Sequence, residues 1–343
     1  MKRIIGSIVI GLGFMLLVLA PLSRFYIAPS AAVAPLNTDS VSIGVGVVVK
    51  QLDLVKFASG AADPYYPPNL PATQTRNTIG NVTASTQDPA KSDGLAVYDT
   101  FARLNVADGR IVTASTSRYA FNRKTSELAN CCGANEGGKT ANFSGLFPLK
   151  FPFFTAKQTY QVWDGTLLKS VPAVFETAED HYGVPTYKFV SNIPPTMIPN
   201  SSMTVPAKTI GQPGTADVTI NQWYTNKVTN WVEPSTGQIL DSASELLQTL
   251  RGPDNTTDIA TIAQVKAAGQ PAYVEDSATK IKADAAKINL FMVTVPLIAL
   301  ILGIILIIIG FLLYRSGGRA KVDAAAGGLA GVGLDPPSPP KAN

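Results

Sequence analysis

Two long apolar segments, one at each end of the chain, constrain its folding more than any other feature of the sequence. The C-terminal segment, residues 288–314, carries no charged side chain. A helix of about 20 apolar residues is long enough to cross a hydrocarbon core roughly 30 Å thick. Pro296, Gly303 and Gly310 lie within the segment, and such residues are tolerated in membrane helices. The sequence therefore predicts a membrane-spanning helix at this end.

The N-terminal segment, residues 4–22, follows Lys2 and Arg3 and has two interpretations. A basic start before an apolar run is typical both of a cleaved signal peptide and of an uncleaved anchor. The small-residue pattern of a cleavage site, residues 32–34, comes well after the apolar run, and Pro35 follows it. An uncleaved anchor is therefore the favoured interpretation, and cleavage is the alternative.

Basic residues flank the outer ends of both segments. Lys2 and Arg3 precede the first segment, and Arg315, Arg319 and Lys321 follow the second. Basic residues are enriched on the cytoplasmic side of membrane spans. The pattern predicts a two-pass protein of the plasma membrane whose central region is extracytoplasmic, on the periplasmic side.

Composition limits the function classes that remain. The 25 prolines and 28 glycines, with abundant Thr, Ser and Val, indicate many short strands joined by turns. One histidine and two cysteines exclude most metal sites and most His-dependent catalysis. The formal net charge is +4, and the central region has no basic run, so nucleic-acid binding has no support. We expect a non-enzymatic protein without a cofactor or a metal.

These patterns predict an α+β, membrane-anchored architecture. A β-rich extracytoplasmic domain, either a sandwich or an open barrel with a few helices, lies between N- and C-terminal transmembrane helices. The predicted segments are a short cytoplasmic start with the first transmembrane helix (1–24), a stalk (25–41), the β-rich domain (42–240), a helical segment leading to the membrane (241–287), the second transmembrane helix (288–314) and a disordered cytoplasmic tail (315–343).

Local signals place some elements within these segments. Asp108-Gly109 and Asp164-Gly165 are dipeptides that favour tight hairpin turns. The composition of residues 58–94 predicts a long surface loop. Apolar spacing predicts helices at 242–250 and 258–268, and a third that runs from about residue 277 toward the membrane.

Aromatic residues supply the candidate ligand site. The first interpretation is that these aromatic side chains pack in the core of the β-rich domain. The alternative is an apolar cleft for acyl chains, because such ligands require an aromatic lining with few polar groups. The residues of this predicted cleft are Phe147, Phe151, Phe153, Phe154, Trp163 and Trp223.

Two further features are unusual. The adjacent Cys131 and Cys132 are the only cysteines of the chain, so a vicinal disulfide, intermolecular pairing and free thiols are the open alternatives. The single histidine, His181, has Glu176, Glu179 and Asp180 nearby, but this spacing matches no metal or catalytic motif, and a solvated loop is favoured.

The sequence resembles a known family. Four stretches carry the resemblance, FYIAPSAAVAPLNTDS, NCCGAN, FPFFTAKQTYQVWDGTL and WVEPSTGQILD, and it extends from Met1 to about Tyr314. Together they resemble the actinobacterial two-span envelope proteins of the porin PorA family. The resemblance implies a role in the envelope of mycolic-acid bacteria, in mycolate glycolipid trafficking beside an RND-type exporter or in lipoglycan maturation.

Two function hypotheses follow. The first is an envelope protein that binds an envelope lipid or glycolipid, or scaffolds its transport. The alternative is an oligomeric, porin-like channel. Both spans are apolar all round, whereas a conducting path needs a polar lining. A channel therefore requires several copies, with the domain between the spans contributing.

Overall fold

The computed structural model describes residues 2–210 and 216–327. The chain divides into two compact units, one made of residues 1–31 and 287–343 and the other of residues 32–286. The first unit contains the two apolar segments. The second contains the whole of the sheet.

The first unit is a pair of apolar helices. Helix α1 (Lys2–Leu22) is followed by a π turn (Ser23–Ile27) and by α2 (Ala28–Ala31). On the other side, a π turn (Leu290–Thr294) precedes the longest helix of the described chain, Val295–Gly327. Both helical segments are long and apolar enough to cross a membrane. Most of their large apolar side chains are exposed, unlike those of a helix in a soluble core. The predicted N- and C-terminal apolar helices are therefore confirmed.

Glycines set how closely the two helices pack. A Cβ atom added to Gly13 would lie 2.8 Å from the Gly303 carbonyl oxygen, and one added to Gly310 would lie 2.8 Å from the Gly6 carbonyl oxygen. Small residues at such contacts let membrane helices approach each other closely. The glycines therefore make a tight helix pair.

Each helical segment has a π turn beside a proline. The Ala28 N–H bonds to the Ser23 carbonyl, five residues back, immediately before Pro29. The predicted stalk at 25–41 is therefore wrong in its first part, because helix continues through Pro29 to Ala31. Proline removes one backbone donor from a helix, and a π turn is a common local adjustment to such a disruption. The rest of the predicted stalk contains no helix, and its last residues already belong to the sheet.

The second unit is built on one 13-stranded sheet in which the paired neighbours are antiparallel. The strands are β1 (Asp39–Gln51), β2 (Leu70–Gly80), β3 (Leu95–Val106), β4 (Ile111–Asn122), β5 (Leu128–Ala129), β6 (Asn135–Glu136), β7 (Tyr160–Asp164), β8 (Lys169–His181), β9 (Val184–Met197), β10 (Met203–Pro206), β11 (Asp217–Val232), β12 (Ile239–Arg251) and β13 (Asp258–Gly269). Their order in the sheet is β5-β4-β3-β2-β1-β13-β12-β11-β9-β8-β7, with β6 beside β4 and β10 beside β11. The short helices α3 (Leu54–Ala58) and α4 (Val82–Ser85) lie in connections.

The sheet curls into a half-barrel. Leu104 and Val106 of β3 belong to one buried cluster with Ala72 of β2, Val48 of β1 and Val265 of β13, so these four strands bury a common face. The twist between adjacent strands accumulates in a sheet of this size and curls it around that face. Backbone bonds also link the two ends of the strand order: Leu128 N–H donates to the Gly145 carbonyl (2.9 Å), and Leu146 N–H donates to the Gln161 carbonyl (2.7 Å).

Several local predictions are confirmed. Strands β3 and β4 form the hairpin around Asp108-Gly109, and Gly109 has a φ of 89°. Strands β7 and β8 flank Asp164-Gly165 at one end, and β8 pairs with β9 on its other side. The α+β class and the β-rich domain between apolar helices are confirmed as well.

The helices predicted at 242–250 and 258–268 are wrong, because these residues form β12 and β13. Strand β12 is paired on both sides, with β11 and with β13. Leu, Ala and Lys favour helices locally, but helix propensity is a weak preference that tertiary pairing overrides.

The long surface loop predicted at 58–94 is also wrong in part. Strand β2 runs through it and pairs with β1 and β3, and α4 follows. Thr and Ile in TQTRNTI suit an extended strand. Because strand β2 is largely polar, it lacks the apolar alternation that predicts a strand.

Helix α5 (Pro271–Asn289) includes the third predicted helix. Its Val274, Ala278 and Ile281 are buried against Val184 and Leu240 of the sheet. The last helix, α6, is the segment Val295–Gly327. The tail predicted to be disordered from residue 315 is therefore helical up to Gly327, and residues 328–343 of that prediction lie outside the described residues.

Candidate functional site

Part of the inner, concave face of the half-barrel carries small and polar side chains, beside the apolar cluster that includes Leu104, Val106 and Val265. Register fixes which residues share this face, because side chains alternate along a strand. One cross-strand row on it joins Ser42, Arg76, Ala102 and Ser115. The next row joins Ser40, Thr78, Thr100 and Ser117. On the opposite wall, a row joins Ser244, Val228 and Ser191.

Glu136 is the centre of a hydrogen-bonded cluster on this face. The Ser117 hydroxyl donates to its Oε1 atom (2.5 Å). The Tyr119 hydroxyl (2.8 Å) and the Trp163 indole N–H (2.9 Å) donate to its Oε2 atom. A Cβ atom added to Gly165 would lie 2.7 Å from the carboxylate carbon, so a larger residue there would displace the carboxylate. Three donors hold this carboxylate in one orientation.

Arg76 is the cation of the inner face. Burial lowers the pKa of its guanidinium, while the nearby Tyr119 and Glu136 act in the opposite direction. The side chain nevertheless remains partly accessible to solvent. A buried guanidinium needs polar or charged neighbours, and Tyr119 and Glu136 supply them here.

A second polar cluster joins Asp164, which lies close to Glu136, to Tyr224 and Asn226 on the opposite wall. The Tyr224 hydroxyl donates to Asp164 Oδ2 (3.1 Å), and the Asn226 amide donates to that hydroxyl (2.8 Å). The backbone N–H groups of Thr166 and Leu167 donate to Asp164 Oδ1. Burial raises the pKa of the Asp164 carboxyl despite these donors. Polar groups therefore continue around the inner face.

The aromatic residues predicted to line one cleft do not come together. Phe147 and Trp163 belong to one buried cluster, and Phe151 belongs to another. Phe153 lies under the Lys150 ammonium (3.7 Å), Trp223 lies under the Arg251 guanidinium (4.3 Å), and Phe154 is exposed. Phe147 stacks on Phe121 with ring centroids 4.4 Å apart. The geometry of the three fully buried residues is that of core packing.

The remaining sequence candidates have local roles. Cys131 and Cys132 are joined in a vicinal disulfide beside a small buried cluster. His181 Nε2 lies 2.9 Å from Asp241 Oδ2, and its ring stacks on Trp231 with centroids 4.4 Å apart. Within residues 2–210 and 216–327, no group of three or more His, Cys, Asp or Glu residues is placed to hold a metal ion.

Sequence reasoning missed the polar residues of the inner face. Arg76, Glu136 and Asp164 are single polar residues in or beside strands, and no motif marks them. Only the register of β2, β3, β4 and β6 brings Arg76 near Glu136. Among these residues, only Asp164 lies in a local motif, the turn dipeptide Asp164-Gly165, and that motif predicts a turn rather than a polar site.

Comparison with known proteins agrees with the resemblance found in the sequence. The model of the family Porin PorA matches residues 5–312. A Porin PorA of Corynebacterium amycolatum is 25% identical, over 72% of this chain and 78% of that protein. Taken with the two apolar helices, the match indicates a membrane protein. Because the family model spans nearly the whole chain, the chain belongs to the porin PorA family.

Proposed function

We propose that this protein is a non-catalytic, channel-forming membrane protein that acts as an oligomer. The observation that carries the proposal is the group of polar and charged side chains around Arg76 and Glu136 on the inner face of the half-barrel. Rings of polar and charged side chains are what selective aqueous passages use. Membership of the porin PorA family favours the same function.

The outer face of the sheet argues against the strands themselves crossing the bilayer. Charged side chains stand on it, including Lys188, Lys227, Glu245 and Lys266. A transmembrane barrel needs an apolar outer band. The two apolar helices are the spans in this proposal, and the half-barrel contributes the polar groups. Because two apolar helices cannot line a polar path alone, several copies assemble around it.

Purified full-length protein is expected to produce stepwise ion conductance in planar lipid bilayers. The physical reason is that the polar inner face lowers the cost of moving a hydrated ion. The control is the same preparation after heat denaturation. Absence of steps across a range of protein concentrations would contradict the channel.

The competing hypothesis is that the domain binds an envelope lipid or glycolipid, or scaffolds its transport beside an RND-type exporter. The charged groups of Arg76, Glu136 and Asp164 on the inner face suit an acyl chain poorly, because such ligands need an apolar lining. Mass spectrometry of the lipids that remain bound to the purified protein distinguishes the carrier hypothesis from the channel hypothesis. A stoichiometric glycolipid with no conductance would favour the carrier.

We place both chain ends in the cytoplasm and the half-barrel on the periplasmic side of the plasma membrane. Lys2, Arg3 and Arg315 support this orientation. Single cysteines at exposed positions test it with a membrane-impermeant maleimide on intact cells. Ser92→Cys is expected to react and Ser316→Cys to react only after permeabilisation. The reverse labelling pattern would overturn the orientation.

A further inference from the structure

A second polar surface lies on the outer face of the half-barrel. It is a groove of about 580 Å³ that crosses β2, β3 and β4 and reaches the loop around β6. Two cross-strand rows form its floor. One row is Asn77, Phe101 and Thr116, and the other is Ile79, Asp99, Arg118 and Asn135.

The first row carries groups that are available to a ligand. Phe101 is 41% exposed, and Ile79 beside it is 52% exposed, so both apolar side chains are accessible from solvent. Within the described residues, the Asn77 amide and the Thr116 hydroxyl make no side-chain hydrogen bond. An exposed ring therefore stands between an amide and a hydroxyl that both lack partners.

The second row is rigid, and its charges compensate each other. The Arg118 guanidinium donates to Asp99 Oδ1 (2.6 Å) and Oδ2 (3.0 Å), and the Asn81 amide donates to the same carboxylate (3.0 Å). Burial by itself would raise the pKa of the Asp99 carboxyl. These hydrogen bonds together have the larger, opposite effect, so the pKa lies below its usual value. A bidentate pair of this kind fixes both side chains. With its charge matched, Arg118 has little excess attraction for an anion.

The wall of the groove comes from the loop around β6. The Gly138 N–H donates to the Asn135 side-chain oxygen (3.1 Å), and the Asn135 amide donates to the Gly133 carbonyl (3.0 Å). These bonds hold the loop beside Arg118. Since neighbouring strands lie about 4.8 Å apart, the floor extends roughly 14 Å from β2 to β6.

We propose that this groove binds a neutral oligosaccharide. A sugar ring presents one face of C–H groups, which stacks on an aromatic ring, and a rim of hydroxyls, which pair with amide, hydroxyl and carboxylate groups. Phe101 provides the platform, and Asn77 and Thr116 provide hydrogen bonds. Asp99 and Arg118 contribute their remaining lone pairs and donors without a net charge.

An array of immobilised neutral and acidic glycans tests the proposal with full-length protein in a detergent that has no sugar headgroup. Neutral oligosaccharides are expected to retain the wild-type protein. Phe101→Ala is expected to reduce retention at least about five-fold, because the stacking platform is lost. Thr116→Val keeps the shape of the side chain and removes only the hydroxyl, and we expect a reduction of about three-fold or more.

Phe154→Ala is the matched control, since it removes an exposed phenylalanine outside the groove. It is expected to leave retention unchanged. Three results would overturn the proposal: no neutral glycan retained, equal retention by wild type and Phe101→Ala, or retention of acidic glycans or glycolipids alone. Glycan retention is measured without a bilayer, so it can fail or succeed independently of channel conductance.

Discussion

Phe121→Ala is expected to lower the free energy of unfolding by about 3–5 kcal/mol, the usual cost of deleting a fully buried aromatic ring. Phe121 is 0% exposed and stacks face to face on Phe147. The Tyr98 ring packs against Phe121 in a T-shaped arrangement, with ring centroids 4.9 Å apart. Removing the ring leaves a cavity between β4 and the segment that joins the two ends of the sheet. Urea unfolding of the full-length protein in detergent, followed by tryptophan fluorescence, measures the change.

Phe101→Ala is the control for this prediction, because Phe101 lies on the neighbouring strand β3 but faces solvent. We expect it to change the free energy of unfolding by less than about 1 kcal/mol. Equal effects of the two substitutions would contradict the assignment of Phe121 to the core and of Phe101 to the surface.

The free energy of unfolding is expected to rise with pH between about 7 and 10.5 because of Lys150. Its ammonium is partly buried and donates to the carbonyls of Phe151 (2.9 Å) and Thr236 (2.8 Å). Burial lowers the pKa of Lys150 to about 7, while the nearby Glu233 acts in the opposite direction. The ordinary value is 10.5.

The direction of this pH effect depends on whether the folded or the unfolded state holds the proton on Lys150. Between the two pKa values the unfolded chain keeps a proton that the folded protein has released, so stability increases with pH. Below about pH 7 both states are charged, and the full cost of burying the ammonium is present. Across the window the gain is about 2–5 kcal/mol. Urea unfolding at a series of pH values measures it.

Lys150→Met is expected to remove most of this pH dependence while preserving the packing of the side-chain stem. Lys124→Met is the control, since Lys124 is exposed on a neighbouring turn. A flat wild-type profile over this window, or an unchanged rise in Lys150→Met, would show that Lys150 is not the titrating group.

Local chemistry made part of this fold predictable. Asp108-Gly109 predicted the β3–β4 hairpin because a tight turn needs a residue that accepts a positive φ. The two apolar segments predicted membrane helices from length alone. The β12 and β13 strands were missed because their helix-favouring residues are held extended by neighbours distant in sequence.

The candidate sites were not predictable in the same way. Arg76, Ser117 and Glu136 converge only through strand register, which a one-residue shift would reverse. Phe101 and Phe121 look alike in the sequence, yet they point to opposite faces of the sheet because their positions fall on opposite phases of the strand alternation. Aromatic residues that share a type in the sequence are therefore separated by face in the fold.

The reversal potential of the channel under a salt gradient tests the central claim most directly. If the inner face lines the passage, Arg76→Gln removes a cation from the path and shifts selectivity toward cations. The variant is expected to fold, because the Arg76 guanidinium makes no hydrogen bond with the described residues. Arg103→Gln is the matched control, since Arg103 is exposed on the outer face of the neighbouring strand β3. We expect a shifted reversal potential for Arg76→Gln and an unchanged one for Arg103→Gln. Identical reversal potentials in both variants and the wild type, or no conductance in any of them, would contradict this claim.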